Sequence, residues 1–132
     1  MLGFVVVSHS RKLADEVIDL CNEMKKYDFP VINGSGTEED YLGSDPLIIA
    51  EAIKKAYTED GVAIFGDLGS SILNSDLAIE FLDSEEYNRD RVKVMDAPLV
   101  EGVLMGMAIN DKKLTLEELE MELKELKVMN KI

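Results

Sequence analysis

The only histidine of the chain is the residue best suited to chemistry. His9 stands between Ser8 and Ser10, at the end of an apolar run over residues 2–8. A neutral imidazole is nucleophilic near pH 7, and its phosphorylation gives a labile P–N bond suited to onward transfer. A lone histidine can also be a structural side chain, but a position at the carboxyl end of a strand favours a chemical role.

A histidine nucleophile needs a partner that fixes its tautomer, and two aspartates are candidates. A carboxylate that accepts the proton of one ring nitrogen leaves the other nitrogen free to attack. Asp67 follows the apolar run 61–66, and Asp96 follows the run 92–95. Spacing alone does not choose between these two carboxylates.

A phosphoryl group on His9 would also need local hydrogen-bond donors. It carries a charge of about −1.5 to −2 at neutral pH, and the chain already has a formal net charge of −13. Gly69 and Ser70 would offer backbone N–H groups at the N-terminus of a helix, and Ser10 would do the same at the first helix. Arg11 could add a positive charge or be an ordinary solvated side chain.

Apolar runs and amphipathic segments alternate along the chain. The runs at 2–8, 30–33, 61–66 and 92–95 predict strands. The segments between and after them predict helices. These are a first helix with Leu13, Val17, Leu20, Cys21 and Met24 on its apolar face; a second from near Ser44, with Pro46 in its first turn; a third opening at Gly69; a fourth from Pro98 to about Ile109; and a last one opened by a Thr115–Glu118 capping box.

This alternation predicts a single α/β domain over residues 1–132, with three α/β/α layers around a mainly parallel four-stranded sheet. In such a sheet, ligands bind at the carboxyl ends of the strands. His9 and Asp67 therefore fall on one rim. Further rim candidates are Gly34 and Gly36 after the second strand, and Pro98 and Leu99 after the fourth.

Composition narrows the classes of function. A charge of −13 makes nucleic acid and anionic membranes poor partners, and no apolar run is long enough to span a membrane. One histidine and one cysteine, Cys21, cannot form a His/Cys zinc site or an internal disulfide. No phosphate-binding glycine motif of a nucleotide site is present. We therefore expect a cytoplasmic protein that itself binds no metal and no cofactor.

The sequence resembles the DhaM subunits of phosphoenolpyruvate-dependent dihydroxyacetone kinase, which have the mannose-type EIIA fold of the phosphotransferase system. The resemblance extends over about residues 1–125, and three segments carry it in order: Val5–Ser10 with Leu13-Ala14, Asp67–Ser70, and Ala97–Gly102. It implies that His9 is phosphorylated, that Asp67 orients it, and that Gly69 and Ser70 help to hold the phosphoryl group. The chain departs from the family at Ser71, where alanine is usual, and in the loop that follows Gly34.

The same resemblance implies a phosphotransferase role with named partners. HPr would donate the phosphoryl group to His9, and ADP held on the DhaL subunit would accept it. Dihydroxyacetone would be bound on DhaK, and the chain itself would form a homodimer. One alternative is a mannose-type sugar-transport EIIA domain that delivers to an EIIB domain, although Ser8-His9-Ser10 and the segment Pro98–Gly102 favour DhaM.

The other alternative is a non-catalytic interaction module. Its support is a leucine stripe in the last helix, formed by Leu116, Leu119, Leu123 and Leu126. Such a stripe more often packs on the domain's own sheet.

Overall fold

The computed structural model describes all 132 residues and contains four strands and five α-helices. The chain order is β1 Gly3–Val7, α1 Arg11–Asn22, β2 Val31–Asn33, α2 Pro46–Ala56, β3 Val62–Gly66, α3 Gly69–Glu80, β4 Val92–Val94, α4 Leu99–Ile109 and α5 Leu116–Lys124. Single 3-10 turns precede β4 and follow α5. Every predicted element is present, and the bounds differ from the predicted ones by only a few residues.

The four strands form one parallel sheet in the order β2-β1-β3-β4. β1 and β3 lie in the centre and are buried along their whole length. Burial on both faces explains why these strands are continuously apolar rather than alternating. The strand order reverses beside β1, so the loops that leave β1 and β3 open the crevice where ligands of such sheets usually bind.

Two apolar cores cover the two faces of the sheet. One core joins α1, α4 and α5 to a face that includes Phe4 and Phe65, and the other joins α2 and α3 to a face that includes Val5 and Ile64. The predicted three-layer α/β/α fold with a parallel four-stranded sheet is therefore confirmed.

Helix α4 approaches the sheet through its glycines. A methyl group at Gly106 would lie 3.1 Å from ring carbons of Phe4 and Phe65, and one at Gly102 would lie 3.1 Å from Ala97. Pro98 is the N-cap residue, so the helix begins one residue later than predicted.

The predicted apolar face of α1 is wrong at three positions. Leu13, Leu20 and Met24 are 47%, 58% and 44% exposed, whereas Val17 and Cys21 are buried. Ala14 takes the place of Leu13 in the core, and Met24 lies beyond the end of the helix. The buried stripe is thus narrower than the apolar periodicity indicates.

The leucine stripe of the last helix belongs to the domain's own core. Leu116, Leu119 and Leu123 are completely buried, and Leu126 is 8% exposed. The Thr115–Glu118 capping box is present as predicted. Because these leucines pack inside the domain, they offer no surface to a partner, which removes the support for a pure interaction module.

Candidate active site

His9 follows β1 at the carboxyl edge of the sheet. Its side chain is 33% exposed, and each ring nitrogen has one hydroxyl beside it. Ser70 Oγ lies 2.8 Å from Nε2, and Ser71 Oγ lies 3.2 Å from Nδ1. The first turn of α3 therefore contacts both nitrogens of the imidazole. The Gly43 N–H donates to the His9 carbonyl oxygen at 2.7 Å, which holds the loop after β2 against the same backbone.

Asp67 follows β3, the strand paired directly with β1, and its side chain is only 14% exposed. Its carboxylate accepts four hydrogen bonds. Oδ2 accepts from the Ser8 hydroxyl at 2.8 Å and the His9 N–H at 3.1 Å. Oδ1 accepts from the Ser71 hydroxyl at 2.8 Å and the Leu68 N–H at 2.7 Å.

These contacts fix the charge of Asp67. Burial disfavours the ionised carboxylate, but the bonds from Ser71, His9, Ser8 and Leu68 together outweigh it, so the pKa of Asp67 lies below its ordinary value of 3.8. At neutral pH the Asp67 carboxylate beside the histidine is therefore ionised, and it can accept hydrogen bonds but cannot donate them.

The structure shows which of the two candidate aspartates lies beside His9. Asp67 Oδ1 lies 3.6 Å from Nδ1 of His9, in the same cluster but beyond hydrogen-bonding distance. Asp96 is exposed and forms an ion pair with Lys127 of the C-terminal segment. Asp67 is thus the carboxylate that neighbours His9, and the Ser71 hydroxyl lies in hydrogen-bonding contact with both.

Ser10 and Arg11 have structural contacts of their own. The Ser10 hydroxyl accepts the Leu13 N–H at 3.2 Å and caps α1. The Arg11 guanidinium donates to the Ser35 carbonyl oxygen at 3.3 Å and pairs with Asp40 at 3.2 Å. The positive charge of Arg11 is therefore directed to the loop after β2 and is largely neutralised there.

The predicted glycines fall into two groups. Gly34 and Gly36 shape the loop after β2. A methyl group at Gly34 would lie 2.9 Å from Val5, and Gly36 has a φ of +86° and faces the Arg11 guanidinium. Gly69 opens α3 and has nothing within 4 Å of an added methyl group. Open space beside the uncapped first turn of α3 is what a phosphoryl group on His9 would need.

Pro98 and Leu99 begin α4 at the same edge of the sheet. Pro98 is exposed, and Leu99 packs against the core. A cavity of about 410 Å³ separates the start of α3 from this segment, and Asp67, Gly69 and Asp96 contribute to its wall. No hydrogen bond or ion pair joins Pro98 or Leu99 to His9, and their contribution to the rim stays a prediction.

Three serines in this cluster were not among the predicted site residues. Ser8 bonds Asp67, Ser35 accepts the Ser8 N–H at 2.8 Å, and Ser71 contacts both Asp67 and His9. All three are completely buried. The sequence carried a signal for each, since Ser8 flanks His9, Ser35 lies between two glycines, and Ser71 replaces the alanine usual in the family it resembles.

Nowhere in the protein do three or more histidine, cysteine or acidic side chains gather as a metal ion would require. None of the helices combines the length and hydropathy needed to cross a membrane.

Comparison with known proteins identifies the family. Residues 3–120 match EIIA-man, described as the fructose IIA component of the phosphotransferase system. The chain belongs to the EIIA-man family. A relative from Listeria innocua, the phosphoryl donor subunit DhaM of a PEP-dependent dihydroxyacetone kinase, is 33% identical over 90% of this chain and 97% of its own length.

Other similar proteins support the same grouping. The DhaM phosphotransferase subunit of Lactococcus lactis is 28% identical over 94% of both chains. The Escherichia coli phosphoryl donor subunit DhaM is 33% identical over 79% of this chain but only 22% of its own length. A crystal structure of a protein of unknown function is 29% identical with a TM-score of 0.77, over 94% of this chain and 93% of that one. The three DhaM relatives are phosphotransferase subunits, which supports a phosphotransfer role.

Proposed function

We propose that this chain is a phosphohistidine carrier that takes a phosphoryl group on Nε2 of His9. One observation carries the proposal. Nδ1 of His9 faces the buried Ser71 and Asp67, while Nε2 faces the exposed hydroxyl of Ser70 at the start of α3. The inner nitrogen is thus occupied by the protein, and the outer nitrogen is the one that a donor can approach.

The transfer itself needs little from this chain beyond position and charge. The Nε2 lone pair attacks the phosphorus, the bond between the phosphorus and the donor atom breaks, and its electron pair stays on the donor. The Ser70 hydroxyl turns from Nε2 to a phosphoryl oxygen, and the free N–H groups of the first turn of α3 face the same side. No lysine or arginine forms a hydrogen bond with His9, so the donors that this chain offers to the phosphoryl group are neutral hydroxyl and backbone N–H groups.

The rim around His9 suits contact with a partner protein. Leu42 and Leu68 are 80% and 56% exposed. Leu42 is the chain neighbour of Gly43, whose N–H donates to the His9 carbonyl oxygen. Leu68 is the N-cap residue of α3, the helix whose first turn contacts the imidazole. Apolar side chains that flank a reactive group are typical of docking surfaces for proteins.

We further propose phospho-HPr as the donor and ADP held on a DhaL subunit as the acceptor, with dihydroxyacetone bound on DhaK. The names of the relatives as phosphoryl donor subunits of dihydroxyacetone kinase support this assignment. The chain would accordingly bind no cofactor itself, because ADP stays on the partner, and it would work in the cytoplasm, where these partners are found.

Radiolabelling tests the donor and the nucleophile together. The protein is mixed with labelled phosphoenolpyruvate, enzyme I and HPr, and acid-labile label is counted on wild type, His9→Ala and, as a matched surface control, Asp96→Asn. We expect label on wild type and on the control, and none on His9→Ala. Equal label on His9→Ala would refute the assignment of the nucleophile.

A second candidate is an EIIA domain of a sugar transport system, and the description of the matched family as a fructose IIA component favours it. The two candidates differ only in the acceptor. The purified phosphoprotein is offered ADP-loaded DhaL in one reaction and an EIIB domain in another. ATP formation in the first reaction supports the kinase role, whereas transfer only to EIIB would replace it with sugar transport.

We also propose a homodimer. Leu73, Leu77 and Phe81 form an apolar stripe along α3 with exposures of 70%, 41% and 48%. Their four-residue spacing places them on one side of the helix. Light scattering should give twice the chain mass of 14.7 kDa for wild type and the single mass for Leu73→Glu. A monomeric wild type would refute the dimer.

A further inference from the structure

Ser71 occupies the space between the histidine and the aspartate. Its side chain is completely buried. Its Oγ lies 2.8 Å from Asp67 Oδ1 and 3.2 Å from His9 Nδ1, whereas Oδ1 and Nδ1 are 3.6 Å apart. The direct hydrogen bond between carboxylate and imidazole is absent, and the hydroxyl takes its place.

The acceptor capacity of Asp67 explains this arrangement. An ionised carboxylate has about four lone-pair positions. All four receive donors, namely two hydroxyls from Ser8 and Ser71 and two backbone N–H groups from His9 and Leu68. No position remains for the Nδ1–H of His9, so the proton on that nitrogen must find another acceptor.

The single hydrogen of Ser71 then decides the tautomer. A carboxylate cannot donate, so the Ser71 O–H must point to Asp67 Oδ1, where the bond is shorter and charge-assisted. The lone pairs of Ser71 Oγ face Nδ1 of His9. Two acceptors cannot share a contact without a hydrogen, so Nδ1 must carry its proton and Nε2 keeps its lone pair.

We propose that Ser71 is a positioning residue that relays the charge of Asp67 to His9 and fixes the Nδ1–H tautomer required for attack by Nε2. This rests on the proposed function for its use in catalysis. When Nε2 forms its bond to phosphorus and the bond to the donor breaks, the imidazole gains positive charge while the Nδ1 proton stays in place. The chain Nδ1–H to Ser71 to Asp67 stabilises that charge through two aligned hydrogen bonds.

Nitrogen NMR tests the relay without any phosphoryl donor. His9 is the only histidine, so its side-chain nitrogen signals need no assignment in uniformly labelled protein. Wild type, Ser71→Ala and Ser75→Ala are compared at pH values where the imidazole is neutral. Ser75 is a matched control, because it is also buried in α3 and its hydroxyl bonds the backbone carbonyl of Ser71, away from the ring.

We expect the Nδ1–H tautomer to predominate in wild type and in Ser75→Ala, and both tautomers to be populated in Ser71→Ala. The rate of phosphorylation by phospho-HPr should fall about tenfold in Ser71→Ala only, as expected for loss of one hydrogen bond to a group that becomes charged. If Ser71→Ala does not fold, Ser71→Cys gives the same test, since a thiol is a weak hydrogen-bonding group.

An unchanged tautomer in folded Ser71→Ala would overturn the relay, because Asp67 would then reach the ring without it. The two proposals fail separately. If the wild type takes no label, but Ser71→Ala still changes the tautomer of His9, the carrier function is refuted and the relay stands. If the wild type is labelled, but Ser71→Ala has the same tautomer as wild type, only the relay is refuted.

Discussion

Replacement of Asp67 by asparagine tests the site most severely. The carboxylate accepts four hydrogen bonds, and two of the donors are the backbone N–H groups of His9 and Leu68, on different oxygens. An asparagine has one carbonyl oxygen, so in either amide orientation its NH₂ group faces one of these N–H groups. The serine hydroxyls can rotate away from this conflict, but a backbone N–H cannot.

The expected loss of stability of Asp67→Asn follows from these contacts. One backbone donor loses its acceptor, either the part-buried N–H of His9 or the exposed N–H of Leu68, and the part-buried case costs about 1–3 kcal/mol. The remaining bonds lose the benefit of the anionic charge. We expect Asp67→Asn to lower the free energy of unfolding by about 2–4 kcal/mol in total.

The effect on phosphorylation has a separate cause. With the NH₂ group beside Ser71, the hydroxyl accepts from the amide and donates to Nδ1 of His9, which moves the imidazole proton to Nε2 and blocks the nucleophile. With the opposite orientation, the developing imidazolium loses its counter-charge. We expect the rate of phosphorylation to fall by about 100-fold or more, as for loss of a group that controls a proton position.

Urea unfolding followed by far-ultraviolet circular dichroism gives the stability, and rapid-quench labelling by phospho-HPr gives the rate. Asp96→Asn is the control, because Asp96 is an exposed aspartate with a single surface ion pair, and we expect it to stay within about 0.5 kcal/mol of wild type. An Asp67→Asn protein as stable and as rapidly phosphorylated as that control would refute this account of the site.

Three further predictions concern the Ser70 hydroxyl, the pKa of Asp67 and the space around two glycines. Ser70→Ala removes the hydroxyl 2.8 Å from Nε2 and should slow phosphorylation about tenfold in the rapid-quench assay, so an unchanged rate would exclude a role for the hydroxyl. Because the pKa of Asp67 is lowered in the folded state, its stabilising contribution is complete above its ordinary pKa of 3.8 and is lost as pH falls through the lower folded value. Urea midpoints of wild type should therefore fall more steeply than those of Asp67→Asn in that acidic range, and parallel curves would contradict this. Gly3→Ala would place a methyl group 1.8 Å from the Ala56 carbonyl oxygen and should cost about 3 kcal/mol in urea unfolding, whereas Gly69→Ala, with open space, should cost nothing. Equal stabilities of these two variants would contradict the packing.

Much of the fold could be predicted from the sequence because its local signals agree. Buried parallel strands require continuous apolar runs, and the four runs each became a strand. The capping box at Thr115 and the proline at the first turn of α2 marked helix starts correctly. The face of α1 could not be predicted in the same way. Leu13 and Leu20 have helical spacing, but the small Ala14 is what fits against the sheet.

The candidate site could likewise be predicted where the topology decides the position of a residue, but not where detailed contacts decide it. His9 and the rim of the sheet follow from topology, since strand ends converge wherever the strands lie in the sheet. The choice of Asp67 over Asp96 depends on which strand pairs with β1, and sequence spacing does not contain that information. The place of Ser71 depends on the exact approach of α3 to His9. Serine forms helices less readily than alanine, but this difference does not tell where the hydroxyl points, so only the three-dimensional contacts reveal a hydroxyl between two functional groups.

The most direct test of the central claim is the position of the phosphorus on the protein. The wild-type protein, labelled with nitrogen-15 and phosphorylated through enzyme I and HPr, is analysed by phosphorus and nitrogen NMR at neutral pH. We predict a single phosphohistidine with phosphorus bonded to Nε2 of His9. Phosphorus on Nδ1, or on any other residue, would contradict the account.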